Sequence, residues 1–349
     1  MNQNHHTKSE AGGPDYFFSR RRFFRQSGAA LIATGFLTSC EGILNDILPK
    51  KNQPGEEPQA AGPKRDQTLA FFGDSLTIGA GGSTPYGQMV GTALAGRPVV
   101  NDGIVGQIAL SIAIRQGGTP LKLSVEGDKF DGTKPLRVTK LSNEFLSTPI
   151  NNNTYSRTGT LAGVKCTITR KVNGDGGENY TITPESTSAA AIPADSEFIL
   201  EDSARLKSAT QILWYGRNNI GRVTAEDDII SALDSSIAYI SEPARYLVLG
   251  VLLAVPENKG TENYDQVTRI NNKLASKYGD SFVPMTPPTE EEMAAINYTP
   301  TSQDLKDLEK GNFPTGMRPD DQTDKIHIND KGYQIIANRV AAKIKALRY

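Results

Sequence analysis

The sequence is poor in the residues that build metal centres. Its 349 residues include three histidines, at positions 5, 6 and 327, and two cysteines, Cys40 and Cys166. Two cysteines exclude a disulfide framework and a cysteine-type zinc site. The first two histidines lie in a polar N-terminal tail, so His327 is the one imidazole left once that tail is removed. A histidine-rich metal site is thereby excluded, no cofactor is expected, and any histidine-dependent chemistry must use His327.

A strong charge of one sign and a long apolar run are also missing. The formal net charge is -1, so no global field favours binding to nucleic acid. The modestly apolar segment 29–37 is too short to cross a bilayer, which takes about 20 apolar residues. A membrane-spanning helix is therefore not expected there.

The N-terminal segment has the order of an export signal. Ser-Arg-Arg-Arg-Phe-Phe-Arg at 19–25 precedes the apolar segment, and Leu-Thr-Ser-Cys at 37–40 follows it. This order resembles a twin-arginine signal that ends in a bacterial lipobox. The resemblance implies that residues 1–39 direct export, and that lipid on Cys40 anchors the protein to a membrane of the cell envelope, on the periplasmic or outer-membrane side. The alternatives are a cytosolic protein with a basic surface helix and an ordinary buried cysteine.

Residues 40–67 are predicted to form a flexible tether. Proline alternates there with Lys, Glu, Gln and Gly, a composition that cannot bury a core. Such a segment would hold a folded domain away from the membrane surface.

From residue 68 the pattern is that of an α/β protein. Apolar runs such as 69–72 and 246–253 alternate with helical segments, which predicts a parallel sheet with helices on both faces. Between 117 and 206 the pattern changes to alternating polar and apolar residues separated by Asn, Gly and Asp. That change predicts an inserted, mostly antiparallel β domain, with the α/β domain formed by 68–116 and 207–349.

Polar residues suited to nucleophilic catalysis lie in loops at the ends of these elements. Ser75 follows the first apolar run, and Asp324 and His327 precede the last helix. A serine hydroxyl needs a base within hydrogen-bond reach, and His327 is the only candidate. Asp324, three residues earlier, can orient the imidazole ring. The alternative is that Ser75 merely caps the next helix.

Four short motifs follow one another along the chain: Gly-Asp-Ser-Leu at 73–76, Asn-x-Gly-x-x-Gly at 101–106, Gly-x-Asn at 216–218 and Asp-x-x-His at 324–327. In the order and residue type of these motifs, the chain resembles the SGNH (GDSL) hydrolase family over about 68–116 and 207–349. One departure is Asn219, where many family members have aspartate at a position that is usually structural.

The resemblance implies a fold and a set of roles. The fold would be a flavodoxin-like three-layer sandwich around a central parallel sheet. Ser75, His327 and Asp324 would form the catalytic triad. The oxyanion hole would comprise the backbone amides of Ser75 and Gly106 and the side-chain amide of Asn218. Gly106 and Asn218 also have a simpler interpretation as turn residues.

Several nearby residues have two interpretations. Asp320 and Asp321 are alternative carboxylates for the role given to Asp324. Arg217 could meet an anionic or sugar group, or could be a surface loop residue. Tyr86 and Trp214 could form a platform for a sugar ring, although a tryptophan at the end of an apolar strand is more typical of a core.

The expected function is ester hydrolysis by an exported serine enzyme. A carbohydrate O-acetyl ester of envelope or extracellular glycan is the leading substrate, by analogy with the family. A lipase or thioesterase is the alternative within the same chemistry. Acyl transfer to a sugar acceptor, or carbohydrate binding on a hydrolase scaffold, are alternatives outside it.

Overall fold

The computed structural model describes residues 65–148, 153–321 and 323–349. The predicted signal, Cys40 and nearly all of the predicted tether lie outside the described residues. No helix among the described residues is long and apolar enough to cross a membrane. In chain order the strands are β1 (Leu69–Gly73), β2 (Val99–Gly103), β3 (Leu121–Val125), β4 (Leu136–Leu141), β5 (Tyr155–Leu161), β6 (Val164–Val172), β7 (Glu178–Pro184), β8 (Ser196–Leu200), β9 (Thr210–Trp214), β10 (Tyr246–Leu249) and β11 (Phe282–Val283).

The helices occupy the segments between these strands and after them. Short 3-10 turns follow β9, α6 and α8, at Arg217–Asn219, Gly279–Ser281 and Thr315–Met317. The α-helices are α1 (Ser75–Ile78), α2 (Tyr86–Ala93), α3 (Ala109–Gln116), α4 (Glu201–Arg205), α5 (Ala225–Tyr239), α6 (Glu262–Tyr278), α7 (Glu290–Ala295), α8 (Ser302–Glu309) and α9 (Asp330–Ala346).

Five strands form a parallel sheet in the order β11-β10-β9-β1-β2. Counted within the sheet, this is the doubly wound order 2-1-3-4-5. Strand β1 is buried at every position because both faces of the sheet are covered. Leu69 and Phe71 pack with residues of α2 and α9 on one face, and Ala70 and Phe72 pack with residues of α3, α5 and α6 on the other. The predicted α/β sheet between two helix layers is confirmed.

The last helix shows how its sequence fixes its position. Tyr333, Ile336, Val340 and Ile344 recur at helical spacing and are buried against the sheet. The side chain of Asn329 caps the helix by accepting hydrogen bonds from two backbone N–H groups of its first turn. This cap sets where the helix begins, directly after the segment that carries Asp324 and His327.

The inserted segment forms a closed antiparallel barrel of six strands in the order β3-β4-β7-β6-β5-β8. The antiparallel character matches the prediction from sequence, whereas closure was not predicted. Closure removes every free sheet edge. The barrel core also takes in Ile104 and Ile114, which belong to the loop after β2 and to α3. The barrel and the α/β domain therefore share apolar contacts.

Strand β5 and helix α8 are among the elements that the sequence did not predict. Strand β5, Tyr155–Leu161, has a mostly polar sequence and was not recognised as a strand. Helix α8 lies in the Pro- and Glu-rich segment between β11 and α9, in addition to α7. The residues Thr301 and Asp304 form a capping box at its N-terminus, which is a local signal that the apolar pattern does not show.

Candidate active site

The functional candidates meet at the carboxyl edge of the parallel sheet. Ser75 follows β1, Gly106 follows β2, and Asn218 lies in the 3-10 turn after β9. Strand order reverses between β1 and β9, and ligands of open α/β sheets bind outside the strand ends at such a switch point. The fold alone thus places Ser75 and Asn218 on either side of a crevice.

Ser75, His327 and Asp324 form a continuous hydrogen-bonded series. The Oγ atom of Ser75 lies 2.8 Å from Nε2 of His327. Nδ1 of the same ring lies 2.7 Å from Oδ2 of Asp324. Both distances are within the range of good hydrogen bonds, and the two ring nitrogens face different partners. This geometry allows His327 to take a proton from Ser75 while Asp324 stabilises the resulting imidazolium.

Asp324 is held rigidly by its own loop. Its Oδ1 atom accepts hydrogen bonds from the backbone N–H groups of Ile326 and His327, each at 3.0 Å. Burial by itself would raise the pKa of Asp324, but these two N–H groups and the imidazole outweigh it and lower that pKa below its ordinary value. Asp324 therefore remains a carboxylate. The neighbouring carboxylate of Asp321 instead accepts hydrogen bonds from Thr323.

The residue before the serine organises the opposite side of the site. Asp74 is buried, and its Oδ1 atom caps α1 by accepting from the N–H of Leu76 at 3.0 Å. Its Oδ2 atom accepts from Nδ2 of Asn218 at 3.0 Å, and the same nitrogen donates to the carbonyl of Gln107 at 2.9 Å. Burial raises the pKa of Asp74 to about 6, although the N–H of Leu76 and nearby cations oppose that rise. Sequence reasoning had given Asp74 no role.

Two backbone donors follow the ends of β1 and β2. Gly106 has a φ of 73°, a conformation that favours glycine. Within the described ranges, the N–H groups of Ser75 and Gly106 have no hydrogen-bond acceptor. The next three N–H groups of α1 all bond to Asp74, through its side chain or its carbonyl. The two donors left over are therefore those expected for an oxyanion hole.

Gly73 allows the serine loop to turn tightly. A side-chain Cβ at this position would lie 2.0 Å from Oγ1 of Thr77 and 2.8 Å from the carbonyl oxygen of Trp214. Neither neighbour could move without disturbing α1 or β9. The glycine that begins the Gly-Asp-Ser-Leu motif is thus required by close packing.

A buried arginine connects the ends of β1 and β2 with the loop that follows β2. Arg115 is 1% exposed. Its guanidinium donates to the carbonyl of Gly73 at 2.9 Å, to the carbonyl of Asp102 at 2.7 Å and to Oε1 of Gln107 at 2.8 Å. It also forms an ion pair with the carboxylate of Asp102 at 2.8 Å. Sequence reasoning missed Arg115, because an arginine at the end of a helix usually reads as a surface residue.

The barrel contacts both the end of β2 and the loop that follows it. Arg157, on β5, forms an ion pair and a hydrogen bond with the carboxylate of Asp102. The side chain of Gln107 donates to the carbonyls of Phe145 and Ser147 at 2.7 and 3.1 Å. Burial would raise the pKa of Asp102, but Arg115 and Arg157 together lower it below its ordinary value. The loop that carries Gly106 is therefore held between α3 and the barrel.

Four other residues that the sequence analysis singled out have structural roles. Arg217 is buried and donates to both carboxylate oxygens of Glu257, at 2.6 and 2.7 Å, so neither a substrate contact nor a surface position describes it. Tyr86 and Trp214 are 0% and 2% exposed and pack edge to face in the core, so they form no platform for a sugar. Asn219 accepts from the N–H of Ala109 at 2.9 Å, at the start of α3.

Comparisons with known proteins add only distant likenesses. No family model matches the sequence, and no curated protein matches it. A lipolytic protein of the G-D-S-L family from Desulfitobacterium hafniense is similar in structure with a TM-score of 0.40 and 9% identity, over 79% of this chain and 99% of that one. A gut microbial diltiazem-metabolizing enzyme is similar in structure with a TM-score of 0.39 and 14% identity, over 80% of this chain and 47% of that one. A protein from Lactobacillus plantarum is similar in structure with a TM-score of 0.36 and 11% identity, over 81% of this chain and 99% of that one. Structural similarity at TM-scores this low does not indicate a function for this chain. The function is therefore inferred from the geometry of the site.

Proposed function

We propose that this protein is a serine ester hydrolase of the SGNH type with Ser75 as its nucleophile. The observation that carries the proposal is the series of two hydrogen bonds, 2.8 Å from Ser75 to His327 and 2.7 Å from His327 to Asp324. A base in hydrogen-bond contact with a serine hydroxyl, itself oriented by a carboxylate, activates that hydroxyl as a nucleophile at neutral pH.

The reaction follows from the positions of these atoms. Oγ of Ser75 attacks the ester carbonyl while Nε2 of His327 takes its proton. His327 then gives that proton to the departing alcohol, which leaves an acyl group on Ser75. A water molecule, deprotonated by His327, attacks the acyl-enzyme. Collapse of the second intermediate releases the acid and returns the proton to Ser75.

The developing negative charge needs donors on one side of the carbonyl. The N–H groups of Ser75 and Gly106 serve here, since they have no other acceptor among the described residues. Asn218 supplies a third donor when one N–H of its amide turns from the carbonyl of Gln107 to the substrate oxygen. Its remaining bond to Asp74 would keep the amide oriented.

The substrate class is proposed by analogy with the family. A carbohydrate O-acetyl ester of envelope or extracellular glycan fits an exported esterase, and a lipid ester or thioester is the second candidate. Release of acetate from a panel of acetylated polysaccharides would identify the alcohol. Release of fatty acid or of a free thiol from the corresponding esters would favour the second candidate.

The esterase proposal is tested with a chromogenic acetyl ester and residues 65–349. We expect turnover in the parent protein and a loss of about 10³-fold or more in Ser75→Ala. Ser276→Ala, an exposed serine of α6, is the matched control and should keep full activity. Absence of turnover in the parent, or equal turnover by Ser75→Ala, would refute the proposal.

We also propose export by the twin-arginine route and a lipid anchor on Cys40, supported by the motifs at 19–25 and 37–40. Growth with a labelled fatty acid should label the full chain, and Cys40→Ala should lose the label. Cys166→Ala is the control, since Cys166 is a buried barrel residue. Equal labelling of Cys40→Ala would rule out the anchor.

A further inference from the structure

A polar cavity lies away from the triad. It has a volume of about 180 Å³ and is lined by residues of α8, of the segment that follows α8, and of the loop between β10 and α6. Ser75, Asp324 and His327 do not line it. The side chains that matter for the inference are Asn258, Asp307, Lys310, Asn312 and Arg318.

Arg318 is a buried cation with an unpaired end. It is 6% exposed, and its Nη2 atom donates to Oδ1 of Asn312 at 2.6 Å. Its Nη1 atom is buried without a hydrogen-bond partner, and no carboxylate among the described residues forms an ion pair with it. Burial lowers the pKa of Arg318 to about 10. Buried charges in proteins are normally paired, as Arg217 is with Glu257.

The one carboxylate that lines the cavity, that of Asp307, already accepts three hydrogen bonds from neighbouring groups. Oδ2 of Asp307 accepts from the N–H and Oγ1 of Thr315 at 2.8 and 2.7 Å. Its Oδ1 atom accepts from Nε2 of Gln303 at 2.9 Å. Lys310 also lines the cavity and has no ion pair within the described part of the chain. Neither Arg318 nor Lys310 therefore forms an ion pair within the described residues, although Asp307, Asp324 and Glu257 attract the charge of Arg318 from beyond ion-pair distance.

We propose that this cavity binds a small oxyanion, a carboxylate or a phosphate. Nη1 of Arg318 would donate to it from the buried end, and Lys310 would neutralise it at the exposed end. The volume holds on the order of six water molecules, enough for an anion of the size of acetate or phosphate. The proposal does not depend on the esterase activity.

Hydrogen bonds also join the residues that line this cavity to the segment that carries His327. The carbonyl of Arg318 accepts from Nδ2 of Asn329 at 2.8 Å, and the N–H of Val255 donates to the carbonyl of Lys325 at 2.7 Å. Arg318 and Val255 both line the cavity. Binding of an anion is thus expected to stabilise the folded state, because it pairs a charge buried against this segment.

The test measures the binding of acetate, inorganic phosphate and acetamide to residues 65–349 by calorimetry and thermal unfolding, with ionic strength matched by chloride. Acetamide has the shape of acetate without its charge. We expect saturable binding and a raised Tm with acetate or phosphate and none with acetamide. The anion that binds more tightly identifies the ligand as a carboxylate or a phosphate.

Matched lysine variants separate this cavity from the triad. Lys310→Gln should weaken anion binding about tenfold, whereas Lys306→Gln, an exposed lysine of α8 outside the cavity, should leave it unchanged. Arg318→Gln should abolish binding if it folds, and the lysine pair decides the matter if it does not. Lack of saturable binding by either anion, which would mean that water alone fills the cavity, or equal affinity in Lys310→Gln, would overturn the proposal.

Discussion

At the residue scale, His327 lies between a hydroxyl and a carboxylate that reach it from different parts of the chain. Asp324 comes from the same loop, and its position is fixed by two backbone N–H groups. Ser75 comes from the other end of the α/β domain and is brought in by the sheet. The distance of 2.8 Å between Ser75 and His327 is therefore a result of the whole fold.

Replacing Asp324 by Asn should disable the base without disturbing the loop. An amide nitrogen facing Nδ1 of His327 favours the wrong ring tautomer, so kcat should fall about 10⁴-fold with little change in KM. Asp321→Asn is the control, because the carboxylate of Asp321 bonds only to Thr323 among the described residues. Comparable losses in both variants would mean that Asp324 does not act through His327.

Asp74 should make stability depend on pH in an unusual direction. Its pKa rises from 3.8 to about 6 on folding, so the unfolded chain releases this proton at lower pH than the folded protein does. The stabilising contribution of Asp74 to the free energy of unfolding is therefore fully present below pH 3.8 and is lost as the pH rises through about 6. The loss between pH 4 and pH 7 is about 2 kcal/mol.

The variant Asp74→Asn isolates that effect. It lacks the titration, so its free energy of unfolding minus that of the parent should be about 2 kcal/mol more positive at pH 7 than at pH 4. Urea unfolding at the two pH values measures the difference, and any hydrogen bond lost by the substitution cancels between them. A difference that is independent of pH would show that Asp74 is already ionised at its ordinary pKa.

The sequence revealed the residues of the site that belong to recognisable loop motifs. Ser75 and His327 could be found because the chemistry requires their residue types, whereas Asn218 was found only because the Gly-x-Asn motif at 216–218 resembles that of the SGNH family. Arg115 and Gln107 could not be found, since burial of a polar side chain depends on which elements pack over it. Here α3, the strand ends and the barrel decide that burial together.

At the element scale, the barrel meets the α/β domain at the end of β2 and at the loop that follows it. Arg157 of β5 contacts Asp102 in β2, and the barrel segment at Phe145 and Ser147 accepts from Gln107. The backbone carbonyl of Gln107 also accepts a hydrogen bond from Nδ2 of Asn218. The barrel thus supports the loop that carries Gly106.

Arg157→Ala should lower kcat more than it changes KM, because it loosens the loop that holds Gly106 and leaves the triad intact. We expect a loss of about tenfold, below the 10²–10³-fold typical of removing an oxyanion donor itself. Arg137→Ala, an exposed arginine of β4, is the control. An unchanged kcat in Arg157→Ala would show that the barrel does not position this loop.

The barrel was predictable only in part for a physical reason. Alternation of polar and apolar residues revealed most of its strands, because each strand buries one face. Strand β5 escaped notice because Gly159 and four polar residues dominate Tyr155–Leu161. Closure depends on pairing between β3 and β8, whose partners lie more than 70 residues apart, and no local pattern encodes that pairing.

At the scale of the whole molecule, the barrel and the α/β domain share one apolar interior. Ile104 and Ile114 are 0% exposed and pack in the barrel core although they belong to the other domain. Each contributes about 2 kcal/mol by burial. The two parts should therefore unfold together.

Two natural probes can follow that unfolding. Trp214, the only tryptophan in the chain, reports on the sheet, and the buried thiol of Cys166 reports on the barrel. Using residues 65–349, which lack the other cysteine, tryptophan fluorescence and thiol labelling should give the same urea midpoint. A separate, earlier exposure of Cys166 would contradict the shared interior.

The central claim is that Ser75 is a nucleophile activated by His327. Its most direct measurement is the mass of residues 65–349 after treatment with an alkyl fluorophosphonate, which forms a stable adduct with an activated serine. The account predicts one adduct per chain, located on Ser75, absent in Ser75→Ala and formed far more slowly in His327→Asn. No adduct on Ser75, or labelling that is equally fast in His327→Asn, would contradict it.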